Sequence, residues 1–189
     1  IKSKTYLFRL YFVDTPESEK SLPERLQEQA DYFGIANPLD VVQVGKDAVK
    51  FTENFLADGK FTVYSRLADA LGRSKMSRDY AMVLNSAGQD LGYELVRNGL
   101  ARVYGSSTDL SELDPYKKTA DAWFRRLRQA ELAAKNAKRG ARGVAAGPGS
   151  RLDALMAPRP VAEQDLAVTL SLILLSAPTR LLSISSALL

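Results

Sequence analysis

Aromatic and β-branched residues dominate the chain near its start, and a polar break follows them at once. Residues 4–13 read Lys-Thr-Tyr-Leu-Phe-Arg-Leu-Tyr-Phe-Val and contain no Gly or Pro, which predicts a β-strand. Asp14-Thr15-Pro16 ends this run and predicts a loop. Shorter apolar runs at residues 61–64 and 80–84 indicate two further strands.

The first stretch with apolar residues at helical spacing covers residues 21–34. Ser21 and Glu24 have the spacing of a capping box, and Pro23 suits the first turn of a helix. Gly34 ends the pattern. A short amphipathic helix is therefore predicted directly after the polar loop.

Three more helices follow from the same periodicity. They are predicted over residues 46–56, over residues 90–98 with Gly99 as the C-cap, and over residues 112–140. The longest of them carries its apolar residues on one side, at Trp123, Leu127, Ala130 and Ala134.

The composition changes after the last predicted helix. Residues 140–149 are mostly small, and residues 166–177 form an apolar run. This run is shorter than the roughly 18 residues that a membrane span needs, so we expect no membrane partner. The sequence predicts a folded domain over residues 1–142, followed by a linker and an apolar tail over residues 143–189.

The chain of 189 residues contains no Cys and no His. The first absence excludes disulfides, thiolate metal sites and thiol nucleophiles, and the second excludes imidazole bases, Ser-His triads and the usual zinc ligands. An enzyme with this sequence must therefore use carboxylates, Arg, Lys, Tyr or a hard metal ion.

Positive charge is concentrated in one segment. The whole chain has a net charge of +4, whereas residues 115–142 alone hold nine Lys or Arg against Asp121 and Glu131. Such a segment is either a solvated helix face or a surface that attracts phosphates. The sequence leaves both interpretations open.

The densest group of reactive side chains surrounds the end of the first predicted strand. Because side chains alternate along a strand, Arg9 is expected to share a face with Tyr11 and Val13, where a guanidinium needs an anionic partner. Asp14 and Glu17 follow and place two carboxylates within one turn. Oxygen ligands beside a fixed cation are what a Ca²⁺-assisted attack on a phosphodiester requires.

A purely structural interpretation of the same residues is also possible. Asp-Thr-Pro-Glu is a plausible turn, and an Arg in a strand usually pairs with a carboxylate of the neighbouring strand. The spacing by itself does not decide between the two.

Residues 9–17, Arg-Leu-Tyr-Phe-Val-Asp-Thr-Pro-Glu, resemble the signature of the thermonuclease (staphylococcal nuclease-like) family. Other segments resemble the family's later elements in the same order: residues 45–56 its first helix, 61–64 the next strand, 78–84 the strand that begins with a second catalytic Arg, and 95–103 the second helix and its exit. The resemblance covers residues 4–142. It implies an α+β fold, an OB-fold-like five-stranded β-barrel with three main helices.

The resemblance also implies roles for individual residues. Glu17 would be the general base or the carboxylate that orients the attacking water, and Asp14 with the Thr15 carbonyl would hold Ca²⁺. Arg9 and Arg78 would bind the phosphate, each with a pair of parallel hydrogen bonds, and would stabilise the charge on five-coordinate phosphorus.

The second catalytic arginine has two candidates in this sequence. Arg78 has the correct register with the strand at Ala81, whereas Arg73 follows Gly72 much as the family's Arg follows a Gly. Tyr104 either lines the nucleotide pocket or packs as an ordinary residue.

The chain departs from the family pattern in three respects. The family's other metal carboxylate and its first strands lie upstream of Arg9, so we expect both to be missing and strand edges to stay unpaired. Residues 18–44 form a longer connector, expected to lie beside the active site as a lid or a limit on substrate size. Arg142 stands where the family has a Trp that packs onto the body, so residues 135–150 are expected to be loose.

The sequence thus predicts a calcium-dependent nuclease that hydrolyses single-stranded DNA or RNA and leaves 3′-phosphates. The alternative is a non-catalytic OB-fold module of the same family that binds nucleic acid or protein. We expect a monomer when the chain is complete, and the resemblance favours a secreted or periplasmic location.

Overall fold

The structure, a computed structural model, describes residues 4–69, 79–104, 119–145, 173–175 and 181–186. It has a mixed α+β fold. The strands are β1 (Lys4–Leu10), β2 (Val13–Asp14), β3 (Phe61–Asp69), β4 (Asp79–Asn85), β5 (Arg102–Val103), β6 (Ile173–Leu175) and β7 (Leu181–Ser186). The helices are α1 (Pro23–Phe33), α2 (Asp40–Phe55), α3 (Leu91–Arg97), α4 (Ala120–Asn136) and α5 (Ala141–Ala145).

β1 lies at the centre of a five-stranded sheet with the order β3-β4-β1-β7-β6. It runs parallel to β4, with Arg9 opposite Tyr80, and antiparallel to β7. β2 and β5 form a separate antiparallel pair. Within the described ranges β3 and β6 are open edges of the larger sheet, so the expected five strands form no closed barrel there.

Part of the predicted tail joins this sheet. β7 pairs with β1, Lys4 lying opposite Ser186, and β6 pairs with β7, Ile173 lying opposite Ser183. Both edges of β1 are therefore hydrogen-bonded, and the expectation of unpaired strand edges is wrong for β1. The domain boundary at residue 142 stays a prediction.

The predicted strand over residues 4–13 is broken before its end. Tyr11 and Phe12 form a turn in which Phe12 has a φ of 58°, and β2 begins only after it. The alternation that was to place Arg9, Tyr11 and Val13 on one face is therefore wrong. A positive φ is unfavourable for an aromatic residue, but Phe12 is buried and packs edge-on against Phe124 with ring centroids 5.0 Å apart.

α1 confirms the first predicted helix but not its capping box. The helix begins at Pro23, and the N-cap residue Leu22 makes no side-chain cap hydrogen bond. Gly34 ends it with a φ of 75°, as the pattern indicated. α2 begins six residues earlier than predicted, because Val41 and Val44 extend its buried face.

α3 and α4 agree with the sequence pattern. The Asp90 carboxylate caps α3 by accepting a hydrogen bond from the Tyr93 backbone N–H at 2.7 Å. Residues 112–118 of the longest predicted helix lie outside the described residues. Among the described residues four helices have seven or more residues, so the expected three main helices become four there. The buried face of α4 is the predicted one: Trp123, Leu127, Ala130 and Ala134.

One continuous apolar core joins these elements. Each of these elements contributes buried side chains to the core, among them Phe8 of β1, Val83 of β4, Val44 of α2, Leu95 of α3 and Trp123 of α4. The core therefore packs the helices onto the sheet and holds the loop after β2 between them. None of the described helices has the length and apolar character that crossing a membrane requires.

Candidate active site

The loop at residues 14–17 carries the predicted carboxylates and is buried. The β2–β5 pair determines where the loop begins, with Asp14 opposite Arg102. The exposed fraction is 4% for Asp14 and 1% for Glu17. Backbone pairing thus places a guanidinium beside the first carboxylate of the loop.

α2 supports this loop through a direct backbone contact at Gly45. A Cβ at this position would lie 2.5 Å from the carbonyl carbon of Glu17 and 2.7 Å from the carbonyl oxygen of Pro16. Backbone atoms cannot rotate away as the end of a flexible side chain can. The close approach of α2 to the loop therefore requires a glycine here.

Gln29 of α1 holds the same loop through its buried side-chain amide. Its Oε1 accepts a hydrogen bond from the Glu17 backbone N–H at 2.8 Å. Its Nε2 donates to the Thr15 carbonyl oxygen at 3.4 Å and lies 3.5 Å from a carboxylate oxygen of Asp14. One amide thus satisfies polar groups at three successive parts of the loop and fixes its backbone.

Asp14 lies between two guanidinium groups. Nη2 of Arg25 is 3.1 and 3.2 Å from its two carboxylate oxygens, and Nε of Arg102 donates to one of them at 2.8 Å. Both arginines also contact Glu28, at 2.9 Å from Arg25 and 2.7 Å from Arg102. The four side chains form one ion-pair network, and its two Arg are 18% and 4% exposed.

The network stabilises the charged forms of Arg25 and Glu28. Burial by itself would lower the pKa of Arg25, but Asp14 and Glu28 raise it above its ordinary value. Burial would raise the pKa of Glu28, but the hydrogen bond and the charge of Arg102 lower it. Removal of Asp14 would leave the buried guanidinium of Arg102 with the half-exposed Glu28 as its ion-pair partner, which should lower the free energy of unfolding.

Glu17 lies at the margin of this network. Its Oε1 is 3.6 Å from Nε of Arg25, a separation typical of an ion pair rather than of a hydrogen bond. The connector at residues 18–44 therefore does lie beside the predicted site, and α1 within it contacts both carboxylates. The interpretation of this connector as a lid or a limit on substrate size stays a prediction.

Arg9 lies on β1 beside a pair of aromatic rings. Its guanidinium carbon is 5.6 Å from the ring centroid of Tyr80, and Tyr80 stacks on Tyr11 with centroids 5.0 Å apart. In the part of the chain that the structure describes, no carboxylate forms an ion pair with Arg9. Its hydrogen-bond donors thus have no carboxylate partner there and can serve an anionic ligand.

The model of the staphylococcal nuclease homologue family matches residues 7–141 of the chain. The chain belongs to this family. Its members are generally nuclease hydrolases, and the family is known to depend on calcium. No curated protein matches the chain.

The match to the staphylococcal nuclease homologue family includes every site residue described above. Arg78 and its alternative Arg73 also fall within the match, but both lie outside the described residues, so the choice between them stays a prediction. Asp79, which follows Arg78 in the sequence, lies opposite Phe8 in the parallel pairing of β4 with β1. The strand that Arg78 precedes is thus the direct neighbour of the Arg9 strand.

The described side chains do not fit the calcium ion that the family implies. Ca²⁺ takes about six to eight oxygen ligands. Here Arg25 and Arg102 contact the oxygens of Asp14, and Gln29 contacts the carbonyl of Thr15. The described ranges contain no group of three or more acidic side chains that could hold a metal. A divalent cation at Asp14 would instead meet two guanidinium groups.

Arg142, one residue beyond the family match, packs onto α1. Its guanidinium carbon is 5.3 Å from the ring centroids of both Tyr32 and Phe33, and its Nη1 donates to the Tyr32 carbonyl oxygen at 2.8 Å. Cation–π contacts of this kind contribute about 0.5–1 kcal/mol each at exposed sites. Arg142 therefore anchors the end of the domain to α1, whereas the sequence predicted that this segment has no anchor.

A second polar cluster joins α1 to α4 and β5. The Tyr32 hydroxyl donates to Glu131 of α4, which also accepts the Val103 backbone N–H at 3.0 Å. Burial and the neighbouring Glu131 raise the pKa of Tyr32 to about 12. Tyr104 is 44% exposed, and its ring lies 4.6 Å from the guanidinium carbon of Arg102. Tyr104 therefore packs against Arg102 while part of its ring remains accessible.

Four residues of the site were not predicted from the sequence: Arg25, Glu28, Gln29 and Arg102. The first three lie at helical spacing on one face of α1, directly after two carboxylates. This spacing is a pattern from which a polar helix face beside the carboxylates can be predicted. For Arg102 no local signal existed, because it lies 88 residues from Asp14 in the sequence.

Proposed function

We propose that this chain is a phosphodiesterase that hydrolyses single-stranded DNA or RNA. The observation that carries the proposal is Arg9, a strand guanidinium without a carboxylate partner among the described residues. The same strand leads through a single turn into the loop that holds Asp14 and Glu17. In a member of a nuclease family, a guanidinium that has no carboxylate partner among the described residues, on the strand that leads to a carboxylate loop, suits the binding of a phosphate.

In this proposal Arg9 and Arg78, or Arg73 in its place, bind the phosphate oxygens. They stabilise the charge that develops as phosphorus becomes five-coordinate. Glu17 accepts a proton from the attacking water or orients that water. The 5′ oxygen leaves, so the products carry 3′-phosphates, and one copy of the chain supplies all of these groups.

Calcium is the part of the expected chemistry for which the site offers the least support. Asp14 and the Thr15 carbonyl, the expected ligands, are engaged by Arg25, Arg102 and Gln29. We therefore assign no step to calcium, and the test of the proposal includes both calcium and a chelator.

A non-catalytic binding module is the second candidate, and the burial of the carboxylates favours it. Glu17 is 1% exposed, so water reaches it only after a local rearrangement. Asp14 is neutralised by two arginines. A module of this kind would still bind nucleic acid through positive side chains and accessible rings such as that of Tyr104.

The decisive experiment compares the purified wild-type chain with Glu17→Gln and with Glu19→Gln. Glu19 is exposed and two residues away, so its variant has the same change of charge in the same loop. Hydrolysis of a labelled single-stranded DNA is measured in Ca²⁺ and in chelator, together with DNA affinity at two salt concentrations. Glu17→Gln should lower turnover by at least about 100-fold with little change in affinity, and Glu19→Gln should change neither.

Equal turnover of wild type and Glu17→Gln would refute the assignment of the base. No cleavage by the wild type, with DNA still bound in a salt-sensitive manner, would establish the binding module instead.

A further inference from the structure

We propose that Arg25 of α1 takes the place of a divalent cation at Asp14, so that the site stabilises its carboxylates without binding calcium. This inference rests on the placement of the site proposed above. It concerns which cation the site uses, and it is tested by cation binding rather than by hydrolysis.

The contact between Arg25 and Asp14 resembles that of a cation held by both carboxylate oxygens. Nη2 of Arg25 lies at nearly equal distances, 3.1 and 3.2 Å, from the two oxygens. A metal ion bound by both oxygens of a carboxylate occupies the same side of the group. While Arg25 is there, a second cation cannot approach both oxygens.

Arg25 also connects three carboxylates, as a bridging metal ion would. It lies 3.1 Å from Asp14, 2.9 Å from Glu28 and 3.6 Å from Glu17. Asp14 and Glu17 are nearly inaccessible to solvent, so their charges need a partner within the protein. Arg25 supplies that charge permanently, because these carboxylates raise its pKa above an already high ordinary value.

α1 is held firmly enough to keep Arg25 in this position. Gln29 of the same helix binds the loop backbone at Glu17, and Tyr32 donates to Glu131 of α4. Arg142 packs on Tyr32 and Phe33 at the end of the helix. Displacement of Arg25 would therefore require either a rotation of its side chain away from three carboxylates or the loss of these contacts.

The other guanidinium leaves room for a metal once Arg25 is gone. Arg102 contacts Oδ2 of Asp14, whereas Oδ1 is contacted by Arg25. In Arg25→Gln, Oδ1 of Asp14 loses its guanidinium partner, and the neutral amide oxygen at position 25 can serve beside it as a second oxygen ligand. We expect this variant to gain the calcium binding that the wild type lacks.

The test is calcium binding to the whole chain, measured by titration calorimetry with Ca²⁺ alone and by melting temperature in Ca²⁺ and in chelator. The wild type should show no saturable binding and the same melting temperature in both conditions. Arg25→Gln should bind Ca²⁺ with a dissociation constant of about 10⁻⁴ to 10⁻³ M, the range of weak oxygen-ligand sites. Its melting temperature should rise by about 5 °C when Ca²⁺ exceeds that constant about 100-fold.

Arg97→Gln is the matched control. Arg97 is 52% exposed and pairs with Glu94 on α3, so its substitution removes the same charge and an ion pair far from this loop in the sequence. This variant should remain as insensitive to Ca²⁺ as the wild type. A gain of binding in Arg97→Gln equal to that in Arg25→Gln would mean that net charge, and not position, excludes the metal, and would overturn the proposal.

Calcium binding that is the same in wild type and Arg25→Gln, or absent from both, would also overturn it. If Arg25→Gln does not fold, the wild type is compared with Arg25→Lys instead. A wild type whose melting temperature rises with Ca²⁺ refutes the proposal. A wild type whose melting temperature does not respond to Ca²⁺, together with an Arg25→Lys variant that responds weakly, supports it. None of these results depends on hydrolysis, so a failure here leaves the proposed phosphodiesterase to be judged by its own experiment.

Discussion

Substitution of Gly45 by Ala tests how the loop of the site is positioned. Gly45 lies in the interior of α2, and a Cβ there would be 2.5 Å from the carbonyl carbon of Glu17 and 2.7 Å from the carbonyl oxygen of Pro16. Ordinary contacts of a Cβ lie at 3.4–4 Å. The loop or the helix must therefore shift by about 1 Å to accept the methyl group.

Two opposing free-energy contributions determine the outcome. Ala in place of Gly stabilises a helix interior by about 1 kcal/mol. Overpacking typically costs about 1–3 kcal/mol, and the upper part of that range applies because the atoms in the way belong to the backbone. We expect a net loss of up to about 2 kcal/mol in the free energy of unfolding. A displacement of about 1 Å at Glu17 should also lower turnover, by as much as about 100-fold.

The assay is urea denaturation of wild type, Gly45→Ala and Lys46→Ala, with hydrolysis measured in parallel. Lys46 is the next residue of α2 and is exposed, so its variant controls for a change of helix composition without a contact to the loop. A Gly45→Ala variant that is more stable than the wild type by about 1 kcal/mol, with unchanged turnover, would refute the packing of α2 on Glu17.

Two further predictions concern buried polar groups. Gln29→Leu leaves the Glu17 backbone N–H without its 2.8 Å partner and should lower the free energy of unfolding by about 1–3 kcal/mol. The control Gln27→Leu, at an exposed position of the same helix, should change it by less than about 0.5 kcal/mol. Equal losses of stability in urea denaturation would contradict the role of Gln29. Burial raises the pKa of Asp90 from its ordinary value of 3.8 to about 7. The folded state therefore binds the carboxyl proton more tightly than the unfolded state does, and the free energy of unfolding should fall as the pH rises from 3.8 to about 7. Asp90→Asn keeps a good helix cap and removes this titration, so the stability of the variant should be nearly independent of pH over the same interval. Parallel stability curves of variant and wild type would refute the raised pKa of Asp90.

Local chemistry in the sequence was sufficient for most of the secondary structure. Gly34 and Gly99 end their helices with positive φ values because glycine alone adopts this conformation without strain, and the stripe from Trp123 to Ala134 is the buried face of α4. The predictions of the first strand and of the first helix cap were wrong in detail. The Tyr11-Phe12 turn forms because Phe12 gains a contact with Phe124, which no local pattern contains.

The order of Arg9, Asp14 and Glu17 was determined by the sequence, since these residues lie within nine successive positions of the chain. Which groups surround the two carboxylates was decided only by the tertiary structure. Arg102 reaches Asp14 across 88 residues through the pairing of β2 with β5, and Arg25 reaches it because α1 packs beside the loop. A carboxylate next to a proline turn is equally suited to a metal ion and to an arginine, and burial beside two guanidinium groups is what selects between them.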